Sequence, residues 1–350
     1  MPDTPRLWMR HETRADERRA PLTPDDAHRL VSRGVELTVE ASFQRIFPLH
    51  EYAAAGCATA PQGSWADRCP AEVHVLGLKE LPPEPSLLRH RHIFFGHAYK
   101  GQAGARDLLR RFAAGGGFLL DLEALVDGEG RRVAAFGYWA GYAGAALAVL
   151  HRRGVLGAPL ASDSRGGWDR RLRSSRPGRG ENAVVIGAYG RCGQGACAAL
   201  RTAGIEPSRW NSAETEALDR DALLSHDILV NTVGIDRPVP PFLTEDDLDG
   251  SHRQLSAICD VTCDVGTDHN ALPIYEHVTD WHRPAARLRT RPRTLDLIAI
   301  DNLPSLVPEE ASRAFSGALW PQLLSLGERS AVWDRCALAY HSALAEAGHR

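Results

Sequence analysis

The sequence predicts an α/β fold in two units, each a parallel sheet covered by helices. Short apolar runs alternate with helical segments through the first third of the chain, a pattern typical of parallel sheets with helical crossovers. Midway along the chain, the apolar residues 184–186 lead into closely spaced glycines, which indicates a buried strand that turns into a helix. A chain of 350 residues with 43% hydrophobic residues is long enough for about two domains.

The first unit follows from its apolar runs and one helix start. Thr23-Pro24-Asp25-Asp26 combines a capping side chain, a proline suited to a first turn and acidic groups at the positive end of a helix dipole. A second helix is expected over residues 103–114. Strands are expected at residues 6–9, 36–39, 72–77, 93–96 and 117–120.

The second unit is predicted to begin with a long helix, about residues 136–151, whose many small side chains suit close packing between domains. Residues 162–181 are polar and rich in arginine, serine and glycine, and they predict a flexible exposed loop. Further buried strands are expected at residues 227–233 and 255–261. Residues 309–350 are expected to be helical and to pack on the first domain. The predicted domains are therefore 1–135 with 312–350, and 136–311.

Composition excludes several classes of function. With 41 Lys and Arg against 44 Asp and Glu, the net charge of −3 gives no electrostatic basis for binding nucleic acid or an anionic membrane. No segment reaches the run of about 18 apolar residues that a membrane span needs. The seven cysteines show neither a disulfide framework nor zinc spacing, and the Cys259/Cys263 spacing alone is weak evidence, so no metal is expected. A cytoplasmic enzyme acting on small molecules is the default expectation.

The glycines Gly187, Gly190 and Gly193 predict a phosphate-binding turn. Residues without Cβ let the backbone turn tightly and approach a pyrophosphate, and the helix that follows presents its positive end. The spacing differs from the usual dinucleotide pattern, so the motif alone is only moderately specific.

Side chains that follow apolar strands are the candidates for chemistry, because ligands of parallel sheets bind at the carboxyl ends of strands. Lys79 and His97 could together move protons in both directions, since a partly desolvated lysine and a histidine both titrate near neutral pH. A surface lysine and a structural histidine remain the alternative. Arg19, Arg131 and Arg132 could bind carboxylates, or they could be ordinary salt-bridge partners. The filter also selects Glu80, Gln102, Asp121, Glu123, Asp260, Asp264 and Asp301, with the cluster Arg10, Glu12, Arg14, Glu17 and Arg19.

Eight segments taken together resemble one known family. They are residues 7–24 (LWMRHETRADERRAPLTP), 77–80 (GLKE), 97–104 (HAYKGQAG), 121–123 (DLE), 130–147 (GRRVAAFGYWAGYAGAAL), 186–196 (IGAYGRCGQGA), 259–264 (CDVTCD) and 300–312 (IDNLPSLVPEEAS). In order and wording they resemble saccharopine dehydrogenase of the lysine-forming type, a relative of alanine dehydrogenase.

The resemblance implies two Rossmann-like domains with parallel sheets and an active-site cleft between them. It implies that Lys79 accepts the amine proton, that His97 is a second acid–base group and that Glu17 and Glu123 support them. The implied substrate contacts are Arg19, Gln102, Arg132, Phe136, Thr262, Cys263 and Asp264. The implied cofactor contacts are Arg131, Gly187, Gly190, Arg191, Gly193, Asn211, Thr215, Val261, Ile300, Asp301, Asn302 and Leu303.

The expected reaction is the reversible conversion of saccharopine, NAD and water into L-lysine, 2-oxoglutarate and NADH, by a monomer or small homo-oligomer. NADP is compatible too, because Asn211 stands where an acidic residue normally repels a 2′-phosphate. Two alternatives stay open. One is an imine-reducing, opine-type enzyme of specialised metabolism that joins another amine to a 2-oxo acid. The other is a dinucleotide-binding regulator without turnover.

Overall fold

The computed structural model describes residues 4–99, 104–235, 239–267, 270–326, 328 and 330–348. The chain divides into two units. Unit 1 comprises Met1–Ala135 and Ala311–Arg350, and unit 2 comprises Phe136–Glu310.

Unit 1 opens with strands and helices in alternation. In chain order its first part contains β1 (Arg6–Met9), α1 (Pro24–Val31), β2 (Glu36–Glu40), α2 (Leu49–Ala54), β3 (Ala58–Ala60), α3 (Trp65–Arg68), β4 (His74–Leu76), β5 (Arg91–Phe94), α4 (Ala105–Gly115) and β6 (Phe118–Asp121). The predicted strands are all present. Strand β3 and the short helices α2 and α3 were not predicted, since each is too short to show a periodic pattern.

The sheet of unit 1 has the order β3-β2-β1-β4-β5-β6 and is parallel throughout. The chain starts at β1 in the middle and winds outward in both directions, so β1 and β4 flank the point where the strand order reverses. In such sheets the crevice at the carboxyl ends of those two strands is the usual ligand site.

Unit 2 contains the second sheet and its helices. In chain order its elements are α5 (Gly137–Arg152), α6 (Arg165–Ser174), β7 (Ala183–Ile186), α7 (Arg191–Thr202), β8 (Ser208–Trp210), α8 (Ser212–Glu216), α9 (Arg220–Leu224), β9 (Ile228–Asn231), α10 (Glu245–Leu248), β10 (Ala257–Asp260), β11 (Ala286–Arg289), β12 (Leu295–Ile298) and a 3-10 helix at Leu303–Leu306. The sheet order is β11-β12-β10-β9-β7-β8.

The α/β prediction is confirmed, with one correction to the sheets. Strands β7, β8, β9, β10 and β12 are parallel, but the edge strand β11 runs antiparallel to β12. This makes the second sheet mixed. The antiparallel edge follows from the short connection between β11 and β12, residues 290–294, which leaves no room for a crossover helix.

The predicted flexible loop at residues 162–181 is wrong for its central part, because Arg165–Ser174 forms α6. The Ser164 side chain accepts a hydrogen bond from the Gly167 N–H and caps the helix. Trp168 and Leu172, four residues apart, are both fully buried, and the Trp168 indole donates to the Leu306 carbonyl at 3.0 Å. Two apolar side chains on one helical face are enough to anchor this helix, although arginines surround them in sequence.

The helix expected at about residues 136–151 is α5, and its glycines allow unusually close packing on α7. A Cβ added at Gly141 would lie 1.8 Å from the Cys192 carbonyl oxygen, and one at Gly195 would lie 1.8 Å from the Tyr138 carbonyl oxygen. The backbones of α5 and α7 are therefore in direct contact, and a side chain at either glycine position would push the two helices apart.

The C-terminal tail is helical as predicted. It forms α11 (Pro308–Leu323), within which the boundary between the units falls, and α12 (Ala331–Gly348). Tyr340 of α12 packs into the core of unit 1 with Phe112, Trp65 and Phe94. At the start of α1, Thr23 caps the helix by accepting from the Asp26 N–H, also as predicted.

A buried carboxylate on β2 joins three segments of unit 1. Glu40 is fully buried, and its two oxygens accept hydrogen bonds from the Trp8 indole and from the backbone N–H groups of His11, Gly63 and Trp65, at 2.6–2.9 Å. We expect Glu40→Ala to lower the free energy of unfolding by about 3 kcal/mol or more, because each orphaned buried donor costs about 1–3 kcal/mol.

Urea denaturation followed by circular dichroism measures this effect, and the same strand supplies the control. Glu36 is exposed and pairs with the exposed Arg6, so Glu36→Ala should leave the unfolding midpoint almost unchanged. Equal midpoints for the two variants would contradict the role assigned to Glu40.

Candidate active site

The candidate reactive residues of unit 1 follow the carboxyl ends of neighbouring parallel strands. Lys79 comes three residues after β4, His97 three residues after β5, and Glu123 two residues after β6. Glu17 and Arg19 lie on the segment that follows β1. Strands β1, β4, β5 and β6 are neighbours in the sheet, so all of these residues lie at the same end of it, where the strands have their carboxyl ends.

His97 is held by a carboxylate. Its Nδ1 lies 3.4 Å from Glu123 Oε2, and its backbone has φ 50°, which is uncommon for a residue other than glycine. The hydrogen bond to Glu123 raises the pKa of His97, while burial and the nearby Lys79 ammonium oppose the rise. His97 therefore keeps its proton to higher pH than a free imidazole.

Glu17 and Arg19 form a buried pair. The Arg19 Nε and Nη2 donate to the two Glu17 oxygens at 2.8 and 2.5 Å, and the Arg19 N–H donates to Oε1. Burial by itself would raise the pKa of Glu17, but the Arg19 charge and hydrogen bonds outweigh it, and with the Lys79 ammonium they hold the pKa below its usual value. Lys79 thus acts electrostatically on both Glu17 and His97, which the structure brings together.

Asp121 fixes the segments on which His97 and Glu123 lie. It is fully buried at the end of β6. Its Oδ1 accepts from the Glu123 N–H at 2.9 Å and its Oδ2 from the Ala98 N–H at 3.3 Å. Burial raises the pKa of Asp121, and both backbone hydrogen bonds oppose that rise.

The two predicted arginines Arg131 and Arg132 follow the turn after β6. Arg131 is on an exposed turn, where its guanidinium pairs with Glu129 and with Asp127, the latter at 3.0 Å. Arg132, beside it, is exposed and forms a β-bridge with Val126. Gln102 lies outside the described residues.

The glycine turn of unit 2 has the features that a pyrophosphate requires. Gly187 has φ 78°, a conformation that favours glycine. A Cβ at Gly193 would lie 2.2 Å from the Gly187 carbonyl oxygen, so only glycine lets α7 approach β7 this closely. Gly190 begins α7 without a capping side chain, which leaves the positive end of the helix dipole for an anion. The residues present therefore fit the phosphates of a dinucleotide.

The other predicted cofactor residues lie on the same sheet. Asn211 follows β8, and its Oδ1 accepts from the Ala213 N–H at 2.7 Å while the Glu214 carboxylate accepts from the Asn211 N–H at 2.7 Å. This reciprocal capping box starts α8. The hydroxyl of Thr215 bonds the Asn211 carbonyl. Arg191 is the first residue of α7 and is exposed.

Two further strand ends of unit 2 complete the predicted set. Val261, Thr262, Cys263 and Asp264 follow β10 directly and are half-buried. Residues 300–303 follow β12: Ile300, Asn302 and Leu303 are buried, whereas Asp301 is exposed. Asn302 begins the 3-10 helix at Leu303–Leu306.

Asp260 organises the segment after β10. It is fully buried, and its oxygens accept from Thr262 (N–H and hydroxyl), from the Asn231 amide and from the Tyr275 hydroxyl at 2.7–3.1 Å. Cys263 follows Thr262 in the chain and has a backbone φ of 55°. Burial raises the pKa of its thiol, and the Asp260 charge adds to this effect, so the sulfur stays protonated.

Glu12, Asp121 and Asp260 are the residues whose function the sequence left undefined. All three were selected as strand-end polar residues, but their contacts to backbone N–H groups were not foreseen. One pattern in the sequence could have indicated this role. Each of these acidic residues lies at the end of a buried strand or just after it, and a candidate reactive residue lies one or two positions further along the chain or on a neighbouring strand.

Neither a cluster of metal ligands nor a membrane-spanning helix is found among the described residues. No group of three or more His, Cys, Asp or Glu side chains in this part of the chain could hold a metal ion. None of its helices has both the length and the apolar character required to span a bilayer.

Relatives of known name match almost the whole chain. The model of the alanine dehydrogenase/PNT N-terminal domain matches residues 8–143. The saccharopine dehydrogenase [NAD(+), L-lysine-forming] of Emericella nidulans is 40% identical, over 94% of this chain and 95% of the relative. The protein of the same name from Schizosaccharomyces pombe is 39% identical, over 97% of this chain and 98% of the relative.

Solved structures show the same fold at much lower identity. An L-alanine dehydrogenase has a TM-score of 0.69 at 16% identity and covers 96% of this chain and 93% of its own. A transhydrogenase from Sinorhizobium meliloti has a TM-score of 0.64 at 17% identity, over 92% and 94%. These likenesses confirm the two-domain Rossmann-like fold, and the full-length identity of about 40% shows that the chain belongs to the saccharopine dehydrogenase family.

Proposed function

We propose that the chain catalyses the reversible, NAD-dependent conversion of saccharopine and water into L-lysine and 2-oxoglutarate. One observation carries the proposal. In this member of the family, Lys79, His97, Glu17 and Glu123 form a group at the carboxyl ends of the strands of unit 1. The relatives from E. nidulans and S. pombe are both named for this reaction.

Proton transfer is the work of Lys79 and His97. Saccharopine joins lysine, through its side-chain nitrogen, to the α-carbon of glutamate. In its neutral form Lys79 accepts a proton from the protonated secondary amine, and this frees the nitrogen lone pair for imine formation. Water then adds to the imine carbon, His97 moves the protons of the addition and of the C–N cleavage, and the products are L-lysine and 2-oxoglutarate.

Glu17 and Glu123 support these two groups in different ways. Glu123 hydrogen-bonds to His97 and keeps it protonated to higher pH. Glu17 stays ionised beside Arg19, so a negative charge lies near Lys79. Arg19 lies beside Glu17, and a guanidinium binds a substrate carboxylate through parallel charge-assisted hydrogen bonds.

The cofactor is assigned to unit 2. Gly187, Gly190 and Gly193 would hold the pyrophosphate of NAD, with Asn211 and Thr215 at the adenosine end and residues 300–303 after β12. When bound, the nicotinamide supplies the acceptor for the hydride that leaves the glutamyl α-carbon.

We further propose that the chain prefers NAD, although Asn211 is neutral. The side chain of Asn211 is engaged in capping α8, and the Glu214 carboxylate reaches back to the Asn211 N–H. A negative charge therefore remains at the end of β8, where the 2′-phosphate of NADP would bind, and like charges repel there.

We expect Lys79→Met to lower kcat at least 100-fold, because positioned general bases typically contribute 10²–10⁴-fold. Dinucleotide binding, followed by NADH fluorescence, should stay within twofold, since the glycine turn is in unit 2. Arg110→Met removes an exposed cation of unit 1 and should keep wild-type turnover. Normal turnover by Lys79→Met would refute the assigned role, and a rate only with an amine other than lysine would replace the proposed substrate.

Glu123→Gln should shift the pH dependence of turnover. The hydrogen bond to Glu123 raises the pKa of His97, so removing the charge lowers that pKa. The limb of the kcat/KM profile due to His97 should move to lower pH. The exposed Glu36→Gln serves as control and should not move the profile; a limb that stays in place in Glu123→Gln speaks against the pairing.

Glu214→Gln should weaken discrimination between the two coenzymes. Glutamine can still accept the Asn211 N–H in a capping box, so the change removes the charge and keeps the helix start. We expect kcat/KM for NADP to rise about fivefold relative to NAD. The matched control is Glu216→Gln, because Glu216 is a nearby carboxylate at the end of α8 that takes no part in the capping box. Equal ratios of kcat/KM for NADP and NAD in the two variants would contradict the proposal.

A further inference from the structure

The backbone of Leu78 and Lys79 is held by a buried ion pair, Arg10 with Glu12. We propose that this pair is the positioning device of Lys79: it fixes the point from which the lysine side chain extends toward the substrate amine. The proposal rests on the function assigned to Lys79 above, and it concerns residues that do not themselves touch the reacting atoms.

Glu12 uses both carboxylate oxygens on this segment. Oε1 accepts from the Leu78 N–H at 2.7 Å, and Oε2 accepts from the Lys79 N–H at 2.9 Å. The side chain is almost fully buried. Charge-assisted bonds to two successive N–H groups set the orientation of both peptide planes.

Arg10 completes the hold from the other side. Its side chain is 1% exposed; Nη2 donates to the Lys79 carbonyl oxygen, and Nη1 donates to the His11 carbonyl at 3.1 Å and to Glu12 Oε2 at 3.3 Å. The Leu78 carbonyl accepts from the Phe95 N–H at 3.1 Å. All four backbone groups of Leu78 and Lys79 are therefore bonded, three of them by this pair.

Gly77 makes room for the arginine. A Cβ at Gly77 would lie 2.4 Å from Arg10 Nε and 2.5 Å from Cζ, a distance at which the guanidinium must move. On its other side the guanidinium lies over the Phe94 ring, 5.6 Å from the centroid. The pair, the glycine and the reactive lysine thus form one local arrangement at the carboxyl ends of β1 and β4.

Stability alone is a poor reason for this arrangement. Buried ion pairs contribute little or nothing compared with apolar residues of the same volume. Arg10 Nε, moreover, has no hydrogen-bond partner in the described part of the chain, which by itself is unfavourable. Positioning accounts for both observations, because a fork of rigid donors and a bidentate acceptor define a geometry that apolar side chains cannot.

The lysine content of the chain allows a direct test that needs no turnover. Lys79 and Lys100 are the two lysines of the sequence, so protein labelled with [¹³C]lysine gives two side-chain εCH₂ signals, and Lys100→Arg assigns them. In Glu12→Gln and in Gly77→Ala, which displaces Arg10, we expect the Lys79 signal to move toward the position of a freely rotating lysine.

The kinetic arm uses the full-length protein with NAD and saccharopine. We expect both variants to lower kcat about 10- to 100-fold, the range that a misplacement of about 1 Å can produce, and to alter the pH profile of kcat while the KM for NAD stays within twofold. Asp26→Asn is the control: Asp26 is a buried carboxylate of unit 1 bonded to Thr23, Arg29 and Ser316. It should lower the unfolding midpoint without moving the Lys79 signal or the pH profile.

The outcomes separate the two proposals. A wild-type protein that turns over no saccharopine overturns the proposed function, while the Lys79 signal still tests the positioning. An active wild type with an unchanged Lys79 signal and kcat within twofold in Glu12→Gln overturns the positioning and leaves the function intact. Should Glu12→Gln fail to fold, Gly77→Ala carries the same comparison.

Discussion

Carboxylates that bind backbone N–H groups at the ends of strands are the interaction on which the candidate site depends. The residues that follow a parallel strand leave the sheet ladder, and their N–H groups need new acceptors. Glu12 supplies them for Leu78 and Lys79, Asp121 for Ala98 and Glu123, and Asp260 for Thr262. Each anchored segment carries a residue to which the chemistry or the cofactor is assigned. The backbone from which the candidate side chains extend is therefore fixed by these hydrogen bonds.

The same principle explains why the two units tolerate so much buried charge. A carboxylate that accepts several hydrogen bonds retains much of the stabilisation that it had in water, and its donors would otherwise be orphaned. Glu40 illustrates the structural version, because its four donors lie on two segments, residues 8–11 and 63–65, which it joins to β2. Asp260 illustrates the functional version. It accepts hydrogen bonds from the N–H and hydroxyl of Thr262, which directly precedes the candidate substrate contacts Cys263 and Asp264.

The elements that repeat a pattern were predictable from the sequence, and those defined by tertiary contacts were not. The long helix α5 and the strands of unit 1 follow from apolar runs and spacing. Helix α6 was missed because its burial rests on Trp168 and Leu172 amid arginines, and β11 because an edge strand needs no continuous apolar run. At the site, their position after apolar strands selected Lys79 and His97, and the resemblance implied their roles. The partners of Glu12 depend instead on strand order, which brings β1 beside β4 across more than 60 residues of chain.

The choice of basic residues gives the reaction assignment additional weight. Two of the 41 Lys and Arg residues are lysines, so almost every cation of this chain is a guanidinium that stays protonated and cannot act as a base. Arginine can replace lysine in a salt bridge or in binding a carboxylate at almost any position. Accepting a proton is a role in which arginine cannot replace lysine. Lys79 follows β4 at the reversal point of the strand order and interacts electrostatically with Glu17 and His97, and the proposed role as proton acceptor gives a chemical reason for a lysine at this position.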